Sequence, residues 1–274
     1  MFPELRTLFH LMLGGTATQR EVCPPLSEHS RGLPTLTDRP CTGCDLCAAQ
    51  CPTDAITVAP PGQVSLDLGR CVACGLCTAA CPTGTITPSR STEVAVRQRA
   101  DLVLSNQPSG NGPADALPAS PLRRSLHYRA ISTGDNATDL EAAATHNPIF
   151  DASRFGIHGV ASPRHADALL VTGPVGRAMQ EPLRRCYEAM PEPRLVIAAG
   201  AAAISGGVHS GGYAQACGVD SILPVSIYIP GHPPHPWMLL HGLLVAMGRM
   251  APARLGAGKA TAAVLERPPA RDTR

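Results

Sequence analysis

Eight cysteines in two matching runs constrain this chain more than any other feature. "CTGCDLCAAQCPTDAITV" begins at position 41 and "CVACGLCTAACPTGTITP" at position 71. The copies agree at every cysteine, at both Cys-Pro pairs and at the Thr and Ile beyond them. So short a duplicated unit cannot bury a core alone, and the copies are expected to pair about a pseudo-two-fold axis. Two-residue spacers let three thiolates converge on one face of an iron-sulfur cubane. The fourth cysteine, three residues on and before a proline, points away and serves the other cluster. The pattern therefore predicts two [4Fe-4S] clusters, one on Cys41, Cys44, Cys47 and Cys81, the other on Cys71, Cys74, Cys77 and Cys51. Tetrahedral zinc sites use paired CxxC units rather than an interleaved double set.

The remaining three of eleven cysteines, Cys23, Cys186 and Cys217, are scattered. The first reads as unassigned, the second as a half-buried helix residue and the third as a small strand-edge hydrophobe. The start "MFPELRTLFHLMLGGTATQ" lacks a basic leader and its apolar stretch is broken by Arg6 and His10, which makes a poor signal peptide. No run reaches the roughly 18 apolar residues that cross a bilayer. A reducing, cytoplasmic setting is expected, where clustered cysteines mean metal. A formal charge of +2 carries no nucleic-acid signal. No catalytic base, nucleophile or nucleotide loop stands out, so any enzyme role is that of an electron-transfer subunit.

The chain divides into an amino-terminal helix and arm (1–35), a ferredoxin unit (36–104), a linker (105–122), a second domain (123–252) and a disordered tail (253–274). Phe2, Leu5, Leu8, Phe9 and Met12 fall at helical spacing, giving a stripe that packs on its own protein or a partner subunit, with shallow membrane contact as the alternative. Residues 20–40 read as an extended arm. "SNQPSGNGPADALPASPL" (105–122) has the Pro, Gly and Ser of a linker. Beyond it, "DALLVTG" (167–173) and "RLVIAAG" (194–200) are short apolar runs ending in Gly, with a helix-period segment (175–190) between them. "SILPVSIYIPG" (221–231) then precedes a helical "HPWMLLHGLLVAMGRM". The fold class is thus an α+β two-cluster ferredoxin domain followed by an α/β domain with a mainly parallel sheet.

The cysteine runs, with "GGTAT" (14–18), "RGLP" (31–34) and "LGRCVACGLCTAACPT" (68–83), resemble the ferredoxin-like subunits of formate hydrogenlyase and of complex I. Residues 154–175, 190–207 and 218–244 resemble another family, the small quinone-proximal iron-sulfur subunit of NADH:quinone oxidoreductase, akin to the small subunit of membrane-bound nickel-iron hydrogenases. The second resemblance implies a flavodoxin-like sheet whose loops carry one more [4Fe-4S] cluster. At the family's cysteine positions, however, this chain has Asp135, Thr138, Ala202 and His232. A third cluster is therefore not expected, and these four residues read as a degenerate former site. Together the resemblances imply a relay in a membrane-associated, hydrogenase-like or NADH:quinone oxidoreductase-like complex. Its partners would be a large subunit and membrane subunits, and its place peripheral, on the cytoplasmic side of the inner membrane. The alternatives are a ferredoxin fused to a cluster-less docking scaffold, or a second domain holding a different metal through Asp135 and His232 with His209 or His235. Arg164 matches a family position near the cluster and quinone pocket, and reads equally as a surface ion-pair residue.

Overall fold

The computed structural model describes residues 3–13, 21–106, 120–134 and 137–255. Most of the linker read at 105–122, and the tail from 256 onward, lie outside the described residues. A helix, α1 (Pro3–Leu13), opens the chain. Leu5, Leu8, Phe9, Met12 and Leu13 are exposed, Phe9 at 65% and Met12 at 76%. Packing on its own chain, one of the expectations for this stripe, is not what the described residues do.

The cysteine-rich unit holds β1 (Leu33–Leu36), α2 (Leu46–Ala49), β2 (Ile56–Ala59), β3 (Gln63–Asp67), α3 (Leu76–Ala80), β4 (Ile86–Ser89) and β5 (Val103–Ser105). The sequence repeat is visible in the elements, α2 matching α3 and β2 matching β4. β1 pairs antiparallel with β4, from Leu33 opposite Ser89 to Leu36 opposite Ile86. In the second small sheet β3 lies between β2 and β5. Val64 and Leu66 of β3 point inward while Gln63, Ser65 and Asp67 do not, the two-residue alternation of a strand with one buried face. Because β1 pairs with β4, it runs through the boundary drawn at 35/36. The stretch read as an extended arm is part of the unit, with Leu26 and Leu33 buried in its core.

The second domain is built on β6 (Leu126–Ser132), β7 (Ile157–Gly159), β8 (Ala168–Thr172), β9 (Leu195–Ala199) and β10 (Ile227–Ile229). The sheet order is β10-β9-β8-β6-β7 and every pairing is parallel. Counted within the domain this is the 2-1-3-4-5 order of flavodoxin-like folds, whose ligands sit beyond the carboxyl ends of the strands. β8 is buried at all five positions, as a strand covered on both faces must be. The helices of the domain are α4 (Thr138–Ala144), α5 (Arg177–Glu188), α6 (Ala201–Ser205) and α7 (Pro236–Ala246); α6 packs on β8 and α7 on β9. α7 is buried along its whole length, which is why its sequence is apolar all round rather than striped.

The two units share one core. Val96 lies antiparallel beside Tyr228 at the free edge of β10; the Val96 N–H donates to the Tyr228 carbonyl at 3.0 Å and the Tyr228 N–H returns a bond of 2.8 Å. The Ala95 N–H donates to His241 Nδ1 at 3.1 Å, while His241 Nε2 lies 3.2 Å from the Ala251 carbonyl and the Ala253 N–H reaches the Ala95 carbonyl at 2.7 Å. The buried Cys23 thiol, unassigned by sequence, faces the Trp237 carbonyl at 3.7 Å. Among the described residues no helix is long and apolar enough to cross a membrane.

Candidate metal centre

Each cysteine run turns back on itself through left-handed residues placed at the same offset: Gly43 and Ala73, Asp45 and Gly75, Asp54 and Gly84 all have φ between +50° and +79°. Three of these are not glycine, and each carries roughly 1–2 kcal/mol of backbone strain. In return, successive backbone N–H groups face the sulfurs, an arrangement that favours negative charge and recurs at iron-sulfur sites. The Gly43 N–H lies 3.4 Å from Cys41 Sγ and the Ala73 N–H 3.4 Å from Cys71 Sγ. The fourth cysteines are supported similarly. Cys51 Sγ accepts the Ala55 N–H at 3.2 Å, and Cys81 Sγ lies 3.6 Å from the Thr83 hydroxyl.

The fold crosses the repeats. Cys51, from the first run, lines one small cavity with Cys71, Cys74 and Cys77 from the second, walled by Ala55, Ile56 and Leu66. Cys81, from the second run, lies close enough to Cys47 to act on its charge, as does Cys41. Burial is the main force on the enclosed thiols: it pushes Cys71 up to about 12 and Cys77 up to about 11, and raises Cys47. Cys81 goes the other way. Burial opposes its ionisation, but the Ile86 N–H and the Thr83 hydroxyl, aided by the N–H groups of Thr85 and Thr83, hold it below the ordinary thiol range. Thiols so raised become thiolates only beside a strong local cation, which is what iron supplies. Among the described residues no three His, Cys, Asp or Glu side chains come together to hold a single metal ion; the second set instead surrounds a cavity. Four soft donors, inward N–H groups and an apolar wall fit an iron-sulfur cluster. Cys44 is exposed whereas Cys71 and Cys77 are buried, so the two sets differ in their access to solvent.

The residues that the sequence reads as a degenerate site lie at the carboxyl edge of the parallel sheet. Thr138 is buried at the start of α4, Ala202 is buried in α6 directly after β9, and His232 stands in the turn after β10. Asp135 lies outside the described residues. The loops are laced by backbone bonds from Gly200 to Ile229 and from Ala201 to Gly231, both 2.8 Å. A Cβ on Gly200 would come within 3.0 Å of Thr138 Oγ1 and 3.4 Å of the Gly231 carbonyl, so the backbone at Gly200 has little room for a side chain. Ala202 has no donor atom and a Thr hydroxyl is a poor iron ligand, so these residues do not offer a cubane its thiolates. His232 Nδ1 is buried without a hydrogen-bond partner; burial, and then nearby His209, lower its pKa. Cys186 is half-buried in α5, but Cys217 is exposed in irregular chain rather than at a strand edge. Arg164 is exposed in a short 3-10 turn. Sequence reasoning passed over Arg31, whose Nη1 donates to the Cys74 carbonyl at 3.3 Å, and Ser205, whose hydroxyl donates to the Gly69 carbonyl at 2.9 Å. Neither sits in a pattern that marks it.

The family model described as NADH ubiquinone oxidoreductase, 20 Kd subunit, matches residues 136–246. Over 124 residues the chain is 43% identical to the probable membrane-bound hydrogenase subunit mbhJ of Pyrococcus furiosus, covering 45% of this chain and 74% of that one. The chain belongs to this NADH ubiquinone oxidoreductase subunit family. Another relative, an NADH-quinone oxidoreductase subunit of Beutenbergia cavernae, is 43% identical over 134 residues, 48% of this chain and 72% of that protein. Formate hydrogenlyase subunit 7 of Escherichia coli is 46% identical over 128 residues, 46% of this chain and 50% of that protein, so the match spans half the length of that relative. A 4Fe-4S dicluster domain matches residues 40–85. With that domain fused to the NADH ubiquinone oxidoreductase-type unit, the chain is an iron-sulfur electron-transfer subunit of an oxidoreductase.

Proposed function

We propose that the chain relays single electrons through two [4Fe-4S] clusters, one held by Cys41, Cys44, Cys47 and Cys81 and the other by Cys71, Cys74, Cys77 and Cys51. The observation that carries this reading is the crossing of the repeats, which groups Cys51 with the second run and Cys81 with Cys47 and Cys41. When bound, such clusters supply one-electron redox chemistry at potentials set by burial and by hydrogen bonds to sulfur. The protein's part is to hold the thiolates, aim N–H groups at them and exclude water from Cys71 and Cys77. Ser205, Cys23 and the Val96–Tyr228 bridge fix this unit on the parallel-sheet domain.

That domain acts as a docking scaffold without a third cluster, because Thr138, Ala202 and His232 stand where the resembled family has thiolates. The host is a membrane-associated complex of hydrogenase or NADH:quinone oxidoreductase type, with a large subunit and membrane subunits as partners. This chain sits peripherally on the cytoplasmic side of the inner membrane, and the bare apolar face of α1 meets a partner there. Iron and acid-labile sulfide on anaerobically purified chain, with electron paramagnetic resonance after dithionite reduction, test the reading. It predicts about eight iron atoms and one coupled pair of clusters; about twelve with a third signal would overturn the scaffold assignment.

A further inference from the structure

Between the second cysteine loop and the turn after β10 lies a cavity of about 470 Å³. Three distant parts of the chain line it: Ser30 and Arg31 ahead of β1, Cys74, and Glu141, His232 and His235 of the second domain. His232, one of the residues read as a degenerate site, thus borders an open space.

Its polar groups are mostly donors. Arg31 spends Nη1 on the Cys74 carbonyl, which anchors the guanidinium and leaves the rest of its N–H fork to the cavity. His235 Nδ1 accepts the Trp237 N–H at 3.2 Å; in the neutral ring this fixes the proton on Nε2 and makes that atom a donor. Ser30 Oγ accepts from the Gly32 N–H at 3.4 Å and retains its own proton to give. His232 also lines the cavity, but its Nδ1 is enclosed by protein and is not offered to a ligand. The one carboxyl among the described lining residues is Glu141, and burial raises its pKa, which weakens its opposition to an anion. A cation would meet the Arg31 guanidinium with a single carboxyl to balance it. The volume exceeds what a bare phosphate fills and lies within the range of sites for small organic ligands.

We propose that this cavity binds a small oxyanion, a carboxylate or phosphate group with room for an organic body, held by Arg31, Ser30 and His235. A second consequence rests on the cluster assignment above. Negative charge beside the Cys74 loop disfavours reduction there, so occupancy lowers the potential of the cluster on Cys71, Cys74, Cys77 and Cys51 and leaves the other unmoved.

Isothermal titration of the full anaerobic chain with inorganic phosphate, and separately with succinate, tests the site. Saturable one-to-one binding of either probe is expected, weakened at least tenfold by Arg31→Gln and by His235→Asn, which keeps an oxygen for the Trp237 N–H. Preference for one probe tells an inorganic from a carboxylate ligand, both within the proposal. No saturable binding of either probe, or equal affinity in both variants with iron content and circular dichroism unchanged, overturns it. Redox titration with and without the bound probe reads the coupling: one shifted potential of two is expected. Binding with neither potential moved overturns the coupling alone. Calorimetry needs no cluster, so failure of the cluster assignment would show in the iron content while the binding result still stands or falls by itself.

Discussion

Cys51 is the residue on which the crossing of the repeats turns. In sequence it closes the first run, yet in the structure it faces Cys71, Cys74 and Cys77 and is held there by the Ala55 N–H. Cys51→Ala should therefore alter the same paramagnetic signal as Cys74→Ala and leave the signal altered by Cys44→Ala intact. A Cys51→Ala spectrum matching that of Cys44→Ala would mean that each repeat holds its own cluster. The eight thiols were legible because iron-sulfur loops demand fixed spacings of one reactive side chain. The supporting residues were not. Arg31 and Ser205 act through backbone carbonyls, and a side chain that bonds a carbonyl leaves no pattern in its neighbours. The same holds for His232: its place at a family cysteine position was clear, whereas the open cavity beside it depends on Arg31 and Cys74, far earlier in the chain.

At the scale of elements, legibility followed burial. β8 and β9 are covered on both faces and read as unbroken apolar runs ending in glycine; the helix between them and α7 carry strong helical signals. β6 went unnoticed because only Leu126, Tyr128 and Ile131 reach the core, with the alternation broken at Ala130, and His127 and Arg129 dilute the run. β1 was hidden because its four residues take their strand character from β4, on the far side of both cysteine runs. The segment at 94–97 is a further case: it is one bridge wide, and what makes it an edge strand is the unpaired side of β10. The Val96 N–H is one of the two donors of that bridge, so Val96→Pro removes a buried hydrogen bond and should cost about 1–3 kcal/mol. Amide exchange at Tyr228, whose own N–H returns the bond at 2.8 Å, would quicken relative to Ile197 in the strand beside it. Unchanged exchange at Tyr228 would mean that other contacts hold the edge.

For the whole molecule, the question is whether a relay unit and a parallel-sheet unit joined in one chain behave as one body. Spacing and composition gave two domains and a linker; they could not show that the domains share a core, because Ala95, His241, Ala251 and Ala253 meet through the backbone and a single imidazole. His241 is the titratable side chain at the centre of that junction, and burial drives its pKa down to about 4, against a smaller opposing effect from the Ala251 carbonyl. The folded protein therefore keeps His241 neutral while the unfolded chain takes up a proton near the ordinary value of 6.5. Stability from this residue is fully present above pH 6.5 and is lost as pH falls towards 4, because the unfolded state binds more protons across that window. At pH 5 the loss amounts to about 2 kcal/mol. His146, His232 and His235 are also depressed by burial and tilt the dependence the same way. Denaturant unfolding of the intact chain at pH 7.5 and pH 5 should show this loss, and His241→Asn, which keeps an acceptor for the Ala95 N–H but cannot titrate, should have a shallower slope. Comparing the two proteins cancels any acid lability of the metal sites, since both carry the same cysteines. Equal slopes would mean that His241 is not held neutral at the junction, and that the two units are less firmly docked than the bonds through Ala95 imply.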